Sequence, residues 1–250
     1  MAYAQAQFSS PVATLQCGQW QFSAWLNAQG QVRAFFHLAR ISENSLLLVL
    51  RGGEASTLAA ALNRYVFRAR VTIIALQPRQ LGTGPAMAQY ALGVVGDKLE
   101  LGCGTHSLHI SDIQSFDTNW RLPQLRAGWP WLAAADLDKW LAPALALNRL
   151  QATVTDKGCY PGQEIVARLH FRGGLKKHLH YATLSHPMHA GDRLHLGDED
   201  IGCVIDVVAH VDATEALVVI NDVAADKLRD GRLNVLPSDD IASLNFDWTV

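Results

Sequence analysis

The chain has 250 residues, of which 49% are apolar and 18% charged, with a formal net charge of −2. That balance fits a compact globular protein and argues against a disordered one. It also excludes a global basic field, so any contact with nucleic acid or another polyanion must come from a local patch. No run of eighteen apolar residues is present and the first residues lack the basic and apolar regions of a signal peptide, so a cytoplasmic address with no membrane partner is expected. Cys17, Cys103, Cys159 and Cys203 are widely spaced, with no C-x-x-C pair, which favours reduced thiols and no metal site.

Along the chain, residues 19–26 alternate polar and apolar side chains, Asn27-Ala28-Gln29-Gly30 supplies a turn, and residues 32–38 resume the alternation, which predicts a hairpin. An apolar strand is expected at 45–50, a helix at 54–64 and another strand at 71–76, followed by a loop at 77–84. Short strands follow at 91–95, 98–101 and 107–110. Residues 131–150 are rich in Ala and Leu and read as partly helical, although Pro143 interrupts them. A helix is expected over 161–171, with Pro161 in its first position and Gly173-Gly174 as its stop. The strands predicted at 178–184, 193–196, 201–208 and 216–220 have the even spacing of a small barrel or sandwich.

The segment with most chemistry is Lys157-Gly158-Cys159-Tyr160-Pro161-Gly162-Gln163-Glu164, with Arg168 four residues further on. A thiol beside a helix start and a lysine has its thiolate favoured, and the thiolate is the reactive form. Glu164, Arg168 and Arg172 fall four residues apart, and with Lys176 and Lys177 they form a local basic patch that suits phosphate or RNA. The bland alternatives are a buried structural cysteine, turn glycines and a solvated helix face, and on the residues alone these are the commoner outcome. The histidines at 178, 180, 186, 189 and 195, and the pair at 106 and 109, lack a completing Cys, Asp or Glu at metal spacing. Trp20 and Trp25 fall on opposite faces of one strand. Trp129 and Trp131 flank Pro130, where core packing is the expected use and stacking on a ligand ring the alternative.

The Lys157 to Glu164 motif with Arg168 resembles the signature of the YgfZ family, folate-binding, aminomethyltransferase-like proteins that support iron–sulfur cluster enzymes. Leu26-Asn27-Ala28-Gln29-Gly30-Gln31-Val32, Arg126-Ala127-Gly128-Trp129-Pro130 and Ile201-Gly202-Cys203-Val204 resemble further family segments, in the same order. The resemblance implies an α+β, aminomethyltransferase-like (GcvT-like) fold with three modules. Residues 1–44 plus 103–172 would form the folate-binding module, 45–102 an inserted ferredoxin-like layer, and 173–250 a C-terminal small β-barrel. It implies tetrahydrofolate or a one-carbon derivative as ligand, and iron–sulfur client enzymes as partners of a role in cluster assembly or repair and so in tRNA modification. Cys159 would be the functional thiol and Lys157 its activator. Tyr160, Gly162, Gln163, Glu164 and Arg168 would shape the loop or touch the ligand, with Arg168 paired to Glu164 or to ligand carboxylates.

Two departures qualify the resemblance. Residues 7–12, with Pro11 in place of the usual Asp, stand where the family has an initial strand and helix before them, so a shortened N-terminal module is expected. The related glycine-cleavage aminomethyltransferase carries an acidic pair just after the hairpin turn, whereas this chain has Gln31-Val32-Arg33-Ala34-Phe35-Phe36, with no acid nearby in sequence. That disfavours conventional aminomethyl transfer. A diverged tetrahydrofolate-dependent one-carbon transferase remains the alternative reading.

Overall fold

A computed structural model describes residues 1–96, 98–112, 120–184, 186–211 and 213–229. Three antiparallel sheets make up most of it. The first joins strands β1 (Gln19–Leu26), β2 (Val32–Ser42) and β3 (Ser45–Leu50) in that order. Its alternation sorts side chains to two faces. Trp20, Phe22, Phe35, Leu47 and Val49 point into the central core, while Trp25, Phe36, Leu46 and Leu48 point to a second core under helices α1 (Ala2–Gln7) and α2 (Ala55–Asn63). Because both faces of β3 are covered, its sequence is a continuous apolar run rather than an alternating one.

The second sheet has the order β4 (Gln80–Gly84), β7 (Ser107–Ser111), β6 (Lys98–Gly102), β5 (Leu92–Val95). The Trp20 indole joins it to the first by donating to Gly102 O at 3.0 Å. The third has the order β8 (Lys177–Leu184), β11 (Thr214–Asn221), β10 (Glu199–Ala209), β9 (Arg193–Leu196). Ala216, Val218 and Ile220 of β11 face a core shared with helix α5 (Asp222–Arg229), and Val219 faces the central core. Helices α3 (Arg121–Arg126) and α4 (Gln163–Arg172) lie between the second and third sheets in the chain.

Several expectations need correction. The boundaries expected at 45 and 103 each fall between two paired strands, β2–β3 and β6–β7, so β3 belongs to the first sheet and β6 shares a sheet with β7. Among the described residues the third sheet is open, with no pairing between β8 and β9, rather than a closed barrel. Residues 71–76 form no strand. Among the described residues no sheet edge pairs with them, and Ile74 and Leu76 are exposed. Residues 80–84, expected as loop, are β4, because they pair with β7. Residues 131–150 hold two 3-10 turns, Ala134–Asp136 and Ala142–Leu145, and no α-helix. Asp138 and Ala146 adopt positive φ there, which breaks helical propagation.

Candidate functional site

The turn of the first hairpin and the cysteine loop, 130 residues apart in sequence, are in contact. Asn27 builds the turn: its Oδ1 accepts from Gln29 N and Gln31 N, both at 3.0 Å, and Gly30 closes it with φ +77°. Against this turn lies Tyr160-Pro161-Gly162-Gln163, a type II turn in which Gln163 N donates to Tyr160 O at 3.2 Å and Gly162 takes φ 79°, ψ 0°. A Cβ on Gly162 would stand 2.5 Å from Asn27 O and 2.9 Å from Gly30 Cα. A Cβ on Gly30 would meet Ile165 at 3.1 Å. Two glycines therefore allow two backbones to touch. This also corrects the helix start: α4 begins at Gln163, capped by Gly162, and Pro161 belongs to the turn before it.

Lys157 reaches back to the N-terminal segment. Its ammonium donates to Gln5 O at 2.6 Å, Ser10 O at 3.0 Å and Phe8 O, which uses all three protons on backbone carbonyls of the N-terminal segment. Burial pushes its pKa down to about 8. Ser9 tightens the same junction, its hydroxyl donating to Ala152 O at 2.7 Å. Tyr160 is buried, donates to Val154 O at 2.7 Å, and is pushed up to about 12 by burial. Gln163 closes the loop on itself by donating to Lys157 O at 3.0 Å. Cys159 is left exposed at the tip as a free thiol. Glu164 and Arg168 are both exposed and form no ion pair with each other or with another described residue, so the pairing expected between them is absent.

Although no acid lies near the hairpin turn in sequence, one does in space. Asp138 Oδ1 accepts from Asn27 Nδ2 at 2.9 Å and Arg33 Nε at 3.1 Å, brought there by Asp138 N donating to Val32 O at 2.8 Å. Its side chain is 53% exposed and ion-paired with Arg33. Ala34, Phe35 and Phe36 are buried in the two cores.

No family model matches the chain. An uncharacterised protein of Haemophilus influenzae is 26% identical over 190 residues, which is 70% of this chain and 64% of that protein. A protein of Sodalis glossinidius named tRNA-modifying protein YgfZ is 27% identical over an alignment covering 94% of this chain and 86% of its own length. The chain is a relative of the YgfZ proteins. A Yersinia pestis protein of the same name is 33% identical over 128 residues, which is 47% of this YgfZ relative and only 39% of that protein. Among solved structures, the glycine cleavage system aminomethyltransferase T from Bartonella henselae superposes with TM-score 0.65 at 16% identity, covering 89% of this chain and 73% of that one. The YgfZ relative thus shares the aminomethyltransferase fold.

Sequence reasoning missed two buried polar clusters of this YgfZ relative. Arg51 follows β3 and is 2% exposed, yet its guanidinium donates to Gln124 Oε1 at 2.5 Å, Trp129 O at 2.7 Å and Pro130 O at 3.0 Å. His37 lies beside it, held well below its ordinary pKa by burial and by the Arg51 charge. The second cluster centres on Glu215, 3% exposed, which accepts two hydrogen bonds from Arg126, at 2.8 and 2.5 Å, and one from Tyr181 at 2.6 Å, and contacts His210 at 2.8 Å. These contacts hold the carboxyl down to about 2. Arg126 opens the Arg126-Ala127-Gly128-Trp129-Pro130 segment, so that family-like segment ends in both clusters. Trp129 is a core residue and Trp131 stands beside Arg51 and Trp120. His178 contacts Asp222 and His109 contacts Glu100, each at 2.6 Å.

Proposed function

We propose that this chain is a folate-binding accessory protein that serves tRNA modification through iron–sulfur cluster assembly or repair, with Cys159 as its functional thiol. The name of the YgfZ relatives points to tRNA modification, and the fold the chain shares with an aminomethyltransferase supports a tetrahydrofolate-type ligand. The observation that carries the reading is the junction of hairpin turn and cysteine loop: it is closed by Gly30 and Gly162 and presents Cys159 to solvent. On this reading Lys157, Tyr160 and Gln163 hold the loop's shape, since each spends its polar atoms on backbone carbonyls. Glu164 and Arg168, exposed and unpaired with each other, are the side chains left to meet a ligand or a client protein. Conventional one-carbon transfer is disfavoured, because the carboxylate that reaches the hairpin, Asp138, is exposed and neutralised by Arg33.

Calorimetric titration with tetrahydrofolate and its methylene derivative tests the reading, with Cys159→Ser in parallel. The expected result is binding by both proteins, with no turnover of the methylene form in the presence of an amine. Absence of binding by the unmodified chain sinks the folate assignment. Turnover that vanishes in Asp138→Asn would instead establish the transferase alternative.

A further inference from the structure

The stretch from the end of α2 to the start of β4 contains no Asp or Glu: from Ala55 to Gly96 the chain is free of acids, while residues 64–79 carry Arg64, Arg68, Arg70 and Arg79. Residues 69–79 run without regular structure, and residues 67–78 make no backbone–backbone hydrogen bonds among the described residues. Arg79 is paired with Asp112, but Arg64, Arg68 and Arg70 are exposed and form no ion pair with any described residue. Between them stand two exposed rings, Tyr65 at 43% and Phe67 at 85%. Tyr65 packs edge-on against the buried Trp25 at 5.9 Å, and Arg33 lies over the same indole at 5.0 Å, which anchors this end of the stretch on the first hairpin.

We propose that residues 64–79 form a binding surface for single-stranded nucleic acid. Three uncompensated guanidinium groups in an acid-free stretch suit a phosphate backbone, and side chains two apart on an extended chain lie about 7 Å apart. Exposed rings flanked by arginine suit unstacked bases, because every base offers a face for stacking; a duplex hides those faces. An acidic peptide added as a strand is the weaker fit. Residues 71–76 are not part of a sheet, and a lone two-stranded ribbon is marginal in water. Nor do the rings gain from a peptide what they gain from bases. The surface adjoins the cysteine loop through α1, since Lys157 grips the carbonyls of Gln5 and Phe8, Tyr3 donates to Leu62 O at 2.7 Å just before Tyr65, and the Trp25 indole donates to Gln7 at 3.3 Å. The proposal is independent of the folate reading, and the two fail separately.

Fluorescence anisotropy with a labelled, unstructured twelve-nucleotide RNA, the DNA of the same sequence and the corresponding RNA duplex tests it at several salt concentrations. The intact chain should bind the single strands, RNA or DNA, more tightly than the duplex. The triple variant Arg64→Ala, Arg68→Ala, Arg70→Ala should bind at least tenfold more weakly, with the slope of log affinity against log salt reduced by about 2. Phe67→Ala should weaken binding at least fivefold. Both variants should keep the melting temperature and the folate titration of the intact chain. No binding by the intact chain at 50 mM salt, an unchanged salt slope in the triple variant, or equal binding of polyglutamate would overturn the proposal. So would loss of the slope in Arg172→Ala, Lys176→Ala, Lys177→Ala instead, which would place the site at the end of α4 and the start of β8.

Discussion

Gly162 shows how one missing side chain sets the site. It needs a positive φ, which costs an L-residue about 1 kcal/mol or more, and it needs the space in which a Cβ would stand 2.5 Å from Asn27 O. Gly162→Ala should therefore destabilise the protein by roughly 2 to 4 kcal/mol, since strain and collision add. It should also part the hairpin turn from the loop, visible as faster hydrogen exchange at the Asn27 turn and a weakened folate titration. A variant as stable as the parent would mean that the two backbones do not touch. At this scale much was legible: Cys159, Gly162 and Gln163 stood out in the motif, and Gly162 and Gln163 shape the loop. The role of Lys157 was not legible, because a lysine two residues from a cysteine says nothing about carbonyls 147 to 152 residues away.

Among the elements, the tie between the Arg126 segment and the third sheet rests on Glu215. Its carboxyl is held down to about 2 in the folded protein against an ordinary 4.5. A depressed carboxyl contributes stability that is fully present above the unfolded value and is lost as pH falls toward the folded one. Glu215→Gln should thus cost about 2 kcal/mol at pH 7 and much less at pH 3. Paired thermal melts of variant and parent at the two pH values measure this, and effects common to both proteins cancel in the difference. An equal loss at both would show that Glu215 acts by shape and not by charge. The strands of this region were readable from their spacing. The tie was not, since Arg126 and Glu215 lie 89 residues apart and each alone reads as a surface charge. Residues 71–76 failed in the opposite way: β-branched composition predicts a strand, but a strand needs a neighbour, and composition cannot supply one.

For the whole molecule, Arg51 is the point on which the first sheet, α3 and the Trp129-Pro130 segment converge. Arg51→Ala would strip partners from two carbonyls and an amide oxygen and leave a cavity in the central core. The expected loss is about 3 to 5 kcal/mol, read from urea unfolding followed by tryptophan fluorescence. A loss under about 1 kcal/mol would mean that the core closes without it. A buried arginine beside a buried histidine goes against the rule that charge stays outside, so apolar patterning could place β3 but not foresee what the residue after it does. Patterning did place most of the strands, because alternation is local. The meeting of the sheets also depends on single long-range polar contacts, which leave no periodic trace. The grip of Lys157 on the first ten residues also has a consequence in time. During synthesis at ~5–20 residues per second, those residues emerge roughly 7 to 30 s before their clamp is made. The N-terminal segment must therefore wait on the ribosome with only its contacts to early elements such as Leu62 and Trp25, and assembly of the thiol loop is a late step that a stalled or shortened nascent chain never reaches.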